Sequence, residues 1–206
     1  MVKYDNFIFD LYGTLMDIKT NERKVSLWKK CADILCNMGF AYDAKSLRKD
    51  YVRFVEEETV SLIRALGVES PKAMLHKEYN GAVTMSCDKI IVDGEVRKPE
   101  IELRKVFRKL MSPWVTDEQV DLFAIVFRTL SRESCFVYNE IFDIFDAIHK
   151  NGKKIFLLTN AQNCFTIPEL RAAGLLDLFD DVFISSDFEC AKPDPRFIRA
   201  LINRVG

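Results

Sequence analysis

Phe7-Ile8-Phe9-Asp10-Leu11-Tyr12-Gly13-Thr14 is the stretch on which the fold turns. An apolar run ending in a carboxylate, then a glycine and a threonine, predicts a short buried strand that delivers Asp10 to a loop at its carboxyl end. Open α/β sheets build their sites at that end. Taken alone, these residues read equally well as a core strand followed by an Asx-type turn. Other segments have to decide between the two.

From Tyr138 onward the pattern alternates. Ile141, Phe142, Ile144, Phe145 and Ile148 predict an amphipathic helix that stops at Asn151-Gly152. Lys154-Ile155-Phe156-Leu157-Leu158 is then an apolar strand ending in Thr159-Asn160. A helix over 166–173 closes at Gly174, a strand follows within 179–186, and Lys192-Pro193-Asp194-Pro195 leads into a last helix over 196–204. Strand, helix, strand, helix with short links predict a parallel sheet with right-handed crossovers. The first strand, apolar on both sides, has to join it.

Between Thr14 and Tyr138 the rhythm is helical. Val25, Leu27, Trp28, Cys31, Ala32, Leu35 and Met38 recur at helical steps before Gly39, and a second helix is expected over 44–66, stopped by Gly67. Pro71 is expected to open a third helix over 71–79. The segment 81–98 breaks the pattern: Ile90-Ile91-Val92, Asp93-Gly94 and Glu95-Val96-Arg97 fit a small hairpin near 89–97, or a flap. Pro99 restarts a helix carrying Ile101, Val106, Phe107 and Leu110, which Ser112-Pro113 interrupts. Thr116-Asp117-Glu118-Gln119 reads as the cap of the next helix, with Val120, Phe123, Val126, Phe127 and Leu130. The expected architecture is an α/β fold: a Rossmann-like parallel sheet core, residues 1–16 and 138–206, with an inserted, mainly helical cap domain, residues 17–137.

Composition narrows the partners. Thirty basic and 31 acidic residues leave a formal charge of −1, so no global field recruits nucleic acid or an anionic membrane. An anionic ligand must be held by local groups. No apolar run approaches the ~20 residues of a membrane span. The six cysteines form no C-x-x-C pair, and with His76 and His149 far apart a zinc site is not expected. Reduced thiols in a cytoplasmic protein are the expectation.

Three strand ends thus converge: Asp10 after the first, Thr159 with Asn160 after the second, and Lys192 beyond the third. As a set, in this order, they resemble the haloacid dehalogenase superfamily. In that family D-x-x-G-T is the first motif, a strand ending in Thr or Ser the second, and a lysine before proline the third. The helical insertion lies where that family's first type of cap domain is placed. The resemblance implies a hydrolase with Asp10 as nucleophile, Thr159 and Lys192 in the catalytic set with Tyr12, and Leu11, Thr14 and Asn160 against a small anionic substrate. For phosphoryl transfer it implies Mg2+, held by the Asp10 side chain and the Tyr12 carbonyl. The chemistry stands independently: a carboxylate nucleophile divides a difficult hydrolysis into two attacks, and a lysine offsets the repulsion between two anions.

Two departures divide the hypotheses. The family's phosphatases carry a second aspartate two residues after the nucleophile to protonate the leaving alcohol, and here that position is Tyr12. The acidic fourth motif, expected on a further strand after the last helix, is not present before Gly206, leaving Asp187 and Glu189 as nearby acids. Phosphomonoester hydrolysis is the leading expectation. The alternative is 2-haloacid dehalogenation, whose enzymes share D-x-Y-G-T and need neither acid nor metal, although their later tyrosine falls at Ile198 here. A third reading is a truncated or non-catalytic anion-binding form, in which a longer product supplies the outer strand.

Overall fold

The computed structural model describes residues 3–78, 84–87, 90–112 and 114–206. In chain order the elements are β1 (Asn6–Phe9), β2 (Met16–Thr20), α1 (Val25–Asn37), α2 (Ala44–Ala65), β3 (Leu75–Glu78), β4 (Thr84–Cys87), β5 (Ile90–Val92) and β6 (Glu95–Arg97). They continue as α3 (Leu103–Met111), α4 (Asp117–Ser131), β7 (Arg132–Val137), α5 (Glu140–Lys150), β8 (Lys154–Thr159), α6 (Asn163–Ala172), β9 (Asp181–Ile184) and α7 (Pro195–Val205).

β8, apolar from Ile155 to Leu158, becomes the middle strand of a parallel sheet in the order β1-β8-β9. Its alternate side chains feed two layers. Ile155 and Leu157 pack with Leu11, Ile141, Phe145 and Leu170 on the side of α5 and α6, while Phe156 and Leu158 pack with Phe183, Phe197 and Leu201 under α7. Register places Phe9 beside Leu157 and Thr159 beside Ile184, so all three strands end at one edge. The α/β expectation holds, with one difference at β1. Phe9 meets Phe145 at 5.1 Å between ring centroids, but Ile8 on the opposite face is 51% exposed. β1 is one border of the sheet among the described residues, and α7 covers β8 and β9 rather than β1.

Helices α1 to α4 share an aromatic core in which Tyr51 stacks on Phe127 at 5.4 Å and meets Trp28 at 5.3 Å. Their starts follow the sequence signals. Asp43 and Ser46 form a reciprocal capping box on α2, and Thr116 and Gln119 form another on α4. The core of this helical block extends to Phe165 on α6, whose ring stands 6.1 Å from Phe107 and 6.4 Å from Phe127.

Several expectations need correction. The stretch after Thr14 is not helical throughout: β2 pairs antiparallel with β7, the two crossing between sheet and helical block, and β3 pairs with β4. The helix expected over 71–79 is a single 3-10 turn, Pro71–Met74, followed by β3, because Pro71 starts a turn that the strand pairing then overrides. The helix expected from Pro99 begins at Leu103, since residues 98–100 are engaged with the loop before Lys192. The last sheet strand stops at Ile184, and Ser185–Phe188 turns as a 3-10 helix. The helix over 166–173 starts earlier, at Asn163, with Pro168 inside it. The hairpin is present as β5 and β6, its turn formed by Asp93 (φ 52°) and Gly94 (φ 76°), the left-handed pair that a two-residue hairpin loop requires. Tyr79, Gly81, Lys89 and Pro113, used in these readings, lie outside the described residues.

Candidate active site

Asp10 follows directly on β1, at the carboxyl edge of the sheet. The turn behind it is tightly wound: the buried Leu11 offers its carbonyl to the amides of Thr14, Leu15 and Met16 at 2.8–3.1 Å. Gly13, at φ 80°, occupies the left-handed region that lets its amide reach the Met16 carbonyl at 2.8 Å. The Asp10 carboxylate is 41% exposed and accepts from Lys192 Nζ at 2.8 Å. The same ammonium donates to the Leu158 carbonyl at 2.8 Å. Asn160 fixes the lysine from behind, its Oδ1 accepting from Lys192 N at 2.7 Å and its Nδ2 donating to Lys192 O at 3.1 Å.

Asp10, Asn160 and Lys192 are therefore brought together. Thr159 ends β8 beside them and is 1% exposed, and Thr14 lies exposed on the turn. The Asn160 amide, expected against substrate, is occupied by the Lys192 backbone. Ser185 and Ser186, unremarked in the sequence, brace the second loop: Ser185 Oγ accepts from Ala161 N at 2.8 Å and Ser186 Oγ from Asn163 N at 2.9 Å. Asp187 accepts from Asn163 Nδ2 at 2.7 Å, and burial pushes its carboxyl above the ordinary value against the donations from Asn163 and Ser186. Glu189 is paired with Lys105 at 2.6 Å.

A strap from the helical block lies along the third loop. Ala191 N donates to Lys98 O at 2.9 Å and Glu100 N to Glu189 O at 3.2 Å, an antiparallel contact immediately before Lys192. Asp194, fully buried, accepts from Lys98 N at 3.0 Å, Arg196 N at 3.0 Å and Arg196 Nη2 at 2.8 Å. Burial alone would raise its carboxyl, but the Arg196 guanidinium and the two backbone amides hold it below the usual range. Gln162 secures the strap's far end: its Oε1 accepts from Leu103 N, and its Nε2 donates to Glu100 Oε1 and Ile101 O, each at 2.8 Å. Asp before Pro195 was a legible helix-start signal. Gln162 carried none.

Tyr12 turns toward α6. Its hydroxyl donates to Glu169 Oε2 at 2.5 Å and lies 3.2 Å from Thr166 Oγ1. Burial first, and then the Glu169 carboxylate, push the phenol well above its ordinary value. Glu169 in turn receives Arg128 Nε from α4 at 2.8 Å.

For a cation the site offers the Asp10 carboxylate and, on the family pattern, the Tyr12 carbonyl. Among the described residues no group of three His, Cys, Asp or Glu gathers to hold a metal. Mg2+ takes one or two carboxylates and completes its shell with water and substrate phosphate oxygens, so this donor set fits an ion held mainly by ligand and water. Grooves of about 580 and 470 Å³ lie on the helical block, one lined by Arg104, Lys105, Arg108 and Lys109 with Glu58, Glu102 and Asp117, the other by Trp28, Val52, Lys45, Arg48 and Lys49. Neither is lined by Asp10 or Lys192.

A parallel sheet flanked by helices, with a carboxylate and a lysine joined at its carboxyl edge, defines an α/β protein with a charged pair at that edge. The chain belongs to the haloacid dehalogenase-like hydrolases, whose family model matches residues 4–206. It is 42% identical over 50 residues to a phosphoglycolate phosphatase of Nitrosospira multiformis, a match covering 24% of this chain and 22% of that protein. Solved structures similar to it include a 2-haloacid dehalogenase from Pseudomonas syringae (16% identity, 97% of this chain, 72% of that one, TM-score 0.49). A HAD phosphatase from Thermococcus onnurineus is similar at 14% identity, over 97% of this chain and 70% of that one, with TM-score 0.47. A HAD family enzyme from Bacteroides thetaiotaomicron, solved with magnesium and inorganic phosphate, is similar at 16% identity, over 98% and 79%, with TM-score 0.46. No helix among the described residues is long and apolar enough to cross a membrane.

Proposed function

We propose that the protein hydrolyses small phosphate esters through an aspartyl-phosphate intermediate on Asp10. The observation that carries this reading is the Asp10 carboxylate at the sheet's open edge with the Lys192 ammonium 2.8 Å away. The Asp10 oxygen attacks phosphorus, the bond to the leaving group breaks, and water then cleaves the acyl phosphate. Lys192 offsets the repulsion between Asp10 and the anionic substrate, and the Leu11 amide with Thr14 and Thr159 receives its oxygens. The Asp10 side chain and the Tyr12 carbonyl would hold Mg2+, which supplies neutralisation of charge on the transferring group. The short match to a phosphoglycolate phosphatase supports a small phosphorylated compound as substrate. The segment 17–137 acts as the cap that chooses it, and the free thiols Cys31, Cys36, Cys135, Cys164 and Cys190 suit the cytoplasm.

Asp10→Asn is expected to abolish turnover of a phosphate-ester panel assayed with and without Mg2+. Activity surviving that change would end the covalent reading. A second reading, C–halogen hydrolysis, is favoured by Tyr12 standing where the family's phosphatases have their second aspartate. Its signature is metal-independent chloride release from 2-chloropropionate, which would replace the first reading.

A further inference from the structure

Tyr12 stands where a proton donor to a departing alcohol is wanted, yet its hydroxyl is committed elsewhere. It donates to Glu169 Oε2 at 2.5 Å, with Thr166 Oγ1 at 3.2 Å. Glu169 is 6% exposed and is held from the other side by Arg128 Nε at 2.8 Å and Arg132 Nη1 at 3.5 Å. The Arg128 guanidinium lies 5.6 Å from the Tyr12 ring centroid and 5.0 Å from that of Phe165. A hydroxyl inside such a network can turn away only by weakening the pairing of a buried carboxylate, which is costly in a low-dielectric setting. The turn after Asp10 is thereby tied to α6 and, through Arg128, to α4. Lys192, the other proton carrier at this edge, has its ammonium on Asp10 and on the Leu158 carbonyl.

We propose that the Tyr12 side chain positions the turn and delivers no proton, so that the site selects phosphate compounds whose leaving group departs as a stabilised anion: aryl, enol or acyl phosphates rather than simple alkyl esters. The inference rests on the phosphatase reading above. In the first step an Asp10 oxygen bonds to phosphorus as the P–O bond to the leaving group breaks. The leaving group keeps the electron pair and takes its proton later from water. In the second step water bonds to phosphorus, the bond to Asp10 breaks with return of the electron pair to the carboxylate, and the water's proton leaves with inorganic phosphate or to solvent. A phenolate, enolate or carboxylate can leave unprotonated, whereas an alkoxide is too basic to do so at a comparable rate.

The test is kcat/KM against leaving-group acidity for acetyl, 4-nitrophenyl, phenyl and ethyl phosphate, with the unaltered protein, Tyr12→Phe and Glu169→Gln. The unaltered protein is expected to favour the activated substrates over ethyl phosphate by on the order of 10²–10⁴-fold, the contribution of a general acid that is not supplied. Tyr12→Phe removes the tether but no proton donor, so kcat/KM is expected to fall by a similar factor for every substrate. Glu169→Gln leaves Tyr12 an acceptor and is expected to retain more activity than Tyr12→Phe. A Tyr12→Phe loss confined to phenyl and ethyl phosphate would make Tyr12 the acid and overturn the proposal. So would ethyl phosphate turned over within about tenfold of 4-nitrophenyl phosphate, since that leaves no room for a missing acid. No turnover even of acetyl phosphate would overturn the phosphatase reading and this inference with it.

Discussion

Asn160 holds the backbone from which Lys192 reaches Asp10. The lysine stem is long and flexible, and its ammonium can serve Asp10 only if its backbone is fixed. Asn160 fixes it with one bond to the Lys192 amide and one to its carbonyl. Asn160→Ala should therefore reduce kcat/KM by up to about 10²-fold, the effect of a misplacement on the order of 1 Å, while the exposed position leaves the melting temperature little changed. Asn160→Asp keeps the acceptor and loses the donor, and should fall between the two. Steady-state kinetics beside thermal unfolding separates these outcomes. An Asn160→Ala enzyme with full kcat/KM would show that Lys192 needs no such support.

The elements that reach across the molecule carry their own predictions. Glu102, at the start of α3, makes no side-chain cap, and the Leu103 amide is satisfied instead by Gln162 from the loop after β8. Gln162→Ala removes that partner together with those of Glu100 and Ile101, and should cost about 1–3 kcal/mol, read as a lowered urea midpoint. Gln162→Glu keeps the acceptor for Leu103 but sets a carboxylate oxygen against Glu100 Oε1 and the Ile101 carbonyl, and at neutral pH should lose at least as much. The β5–β6 hairpin is tied to α7 through Glu95, which pairs with Arg199 and accepts from Arg97 Nη1 at 2.8 Å. Arg199 first, then Arg97, depress the Glu95 carboxyl to about 2 from an ordinary 4.5. Because the folded value is the lower one, this tether is fully present above about pH 4.5 and is lost as pH falls toward 2. Amide exchange in 90–97, compared with Glu95→Gln at each pH, should show protection in the unaltered protein at pH 6 that converges on the variant near pH 2. Equal protection at both pH values would remove Glu95 from the attachment.

At the scale of the whole molecule, what was legible in the sequence was what is local. Phe7 to Thr14, Leu157 to Asn160 and Lys192 to Pro195 each carry strand or turn chemistry within a few residues, so the sheet, its order of events and the Asp10–Lys192 meeting point followed from them. The pairing of β2 with β7 joins Met16 to Val137, and Tyr12 finds Glu169 at a separation of 157 residues. No short-range pattern encodes either. Ile8 shows the opposite error, for its apolar character predicted burial that the border position of β1 does not provide. Phe165 lies one residue ahead of the helix expected over 166–173, yet it is the side chain through which the helical block grips the sheet. It is 5% exposed, packs with Phe107 and Phe127, and carries the Arg128 guanidinium on its face. Phe165→Ala should cost about 3–5 kcal/mol by opening a cavity at that junction, a large share of an ordinary domain's stability. The loss should also divide the molecule. Trp28, inside the helical block, reports on that block by fluorescence, whereas far-UV circular dichroism reports on all the helices. In the unaltered protein the two urea transitions should coincide; in Phe165→Ala the fluorescence transition should move to lower urea and separate from the other. Transitions that still coincide in the variant would mean that the strap at residues 98–100, Gln162 and the Arg128–Glu169 pair hold the block without the aromatic contact.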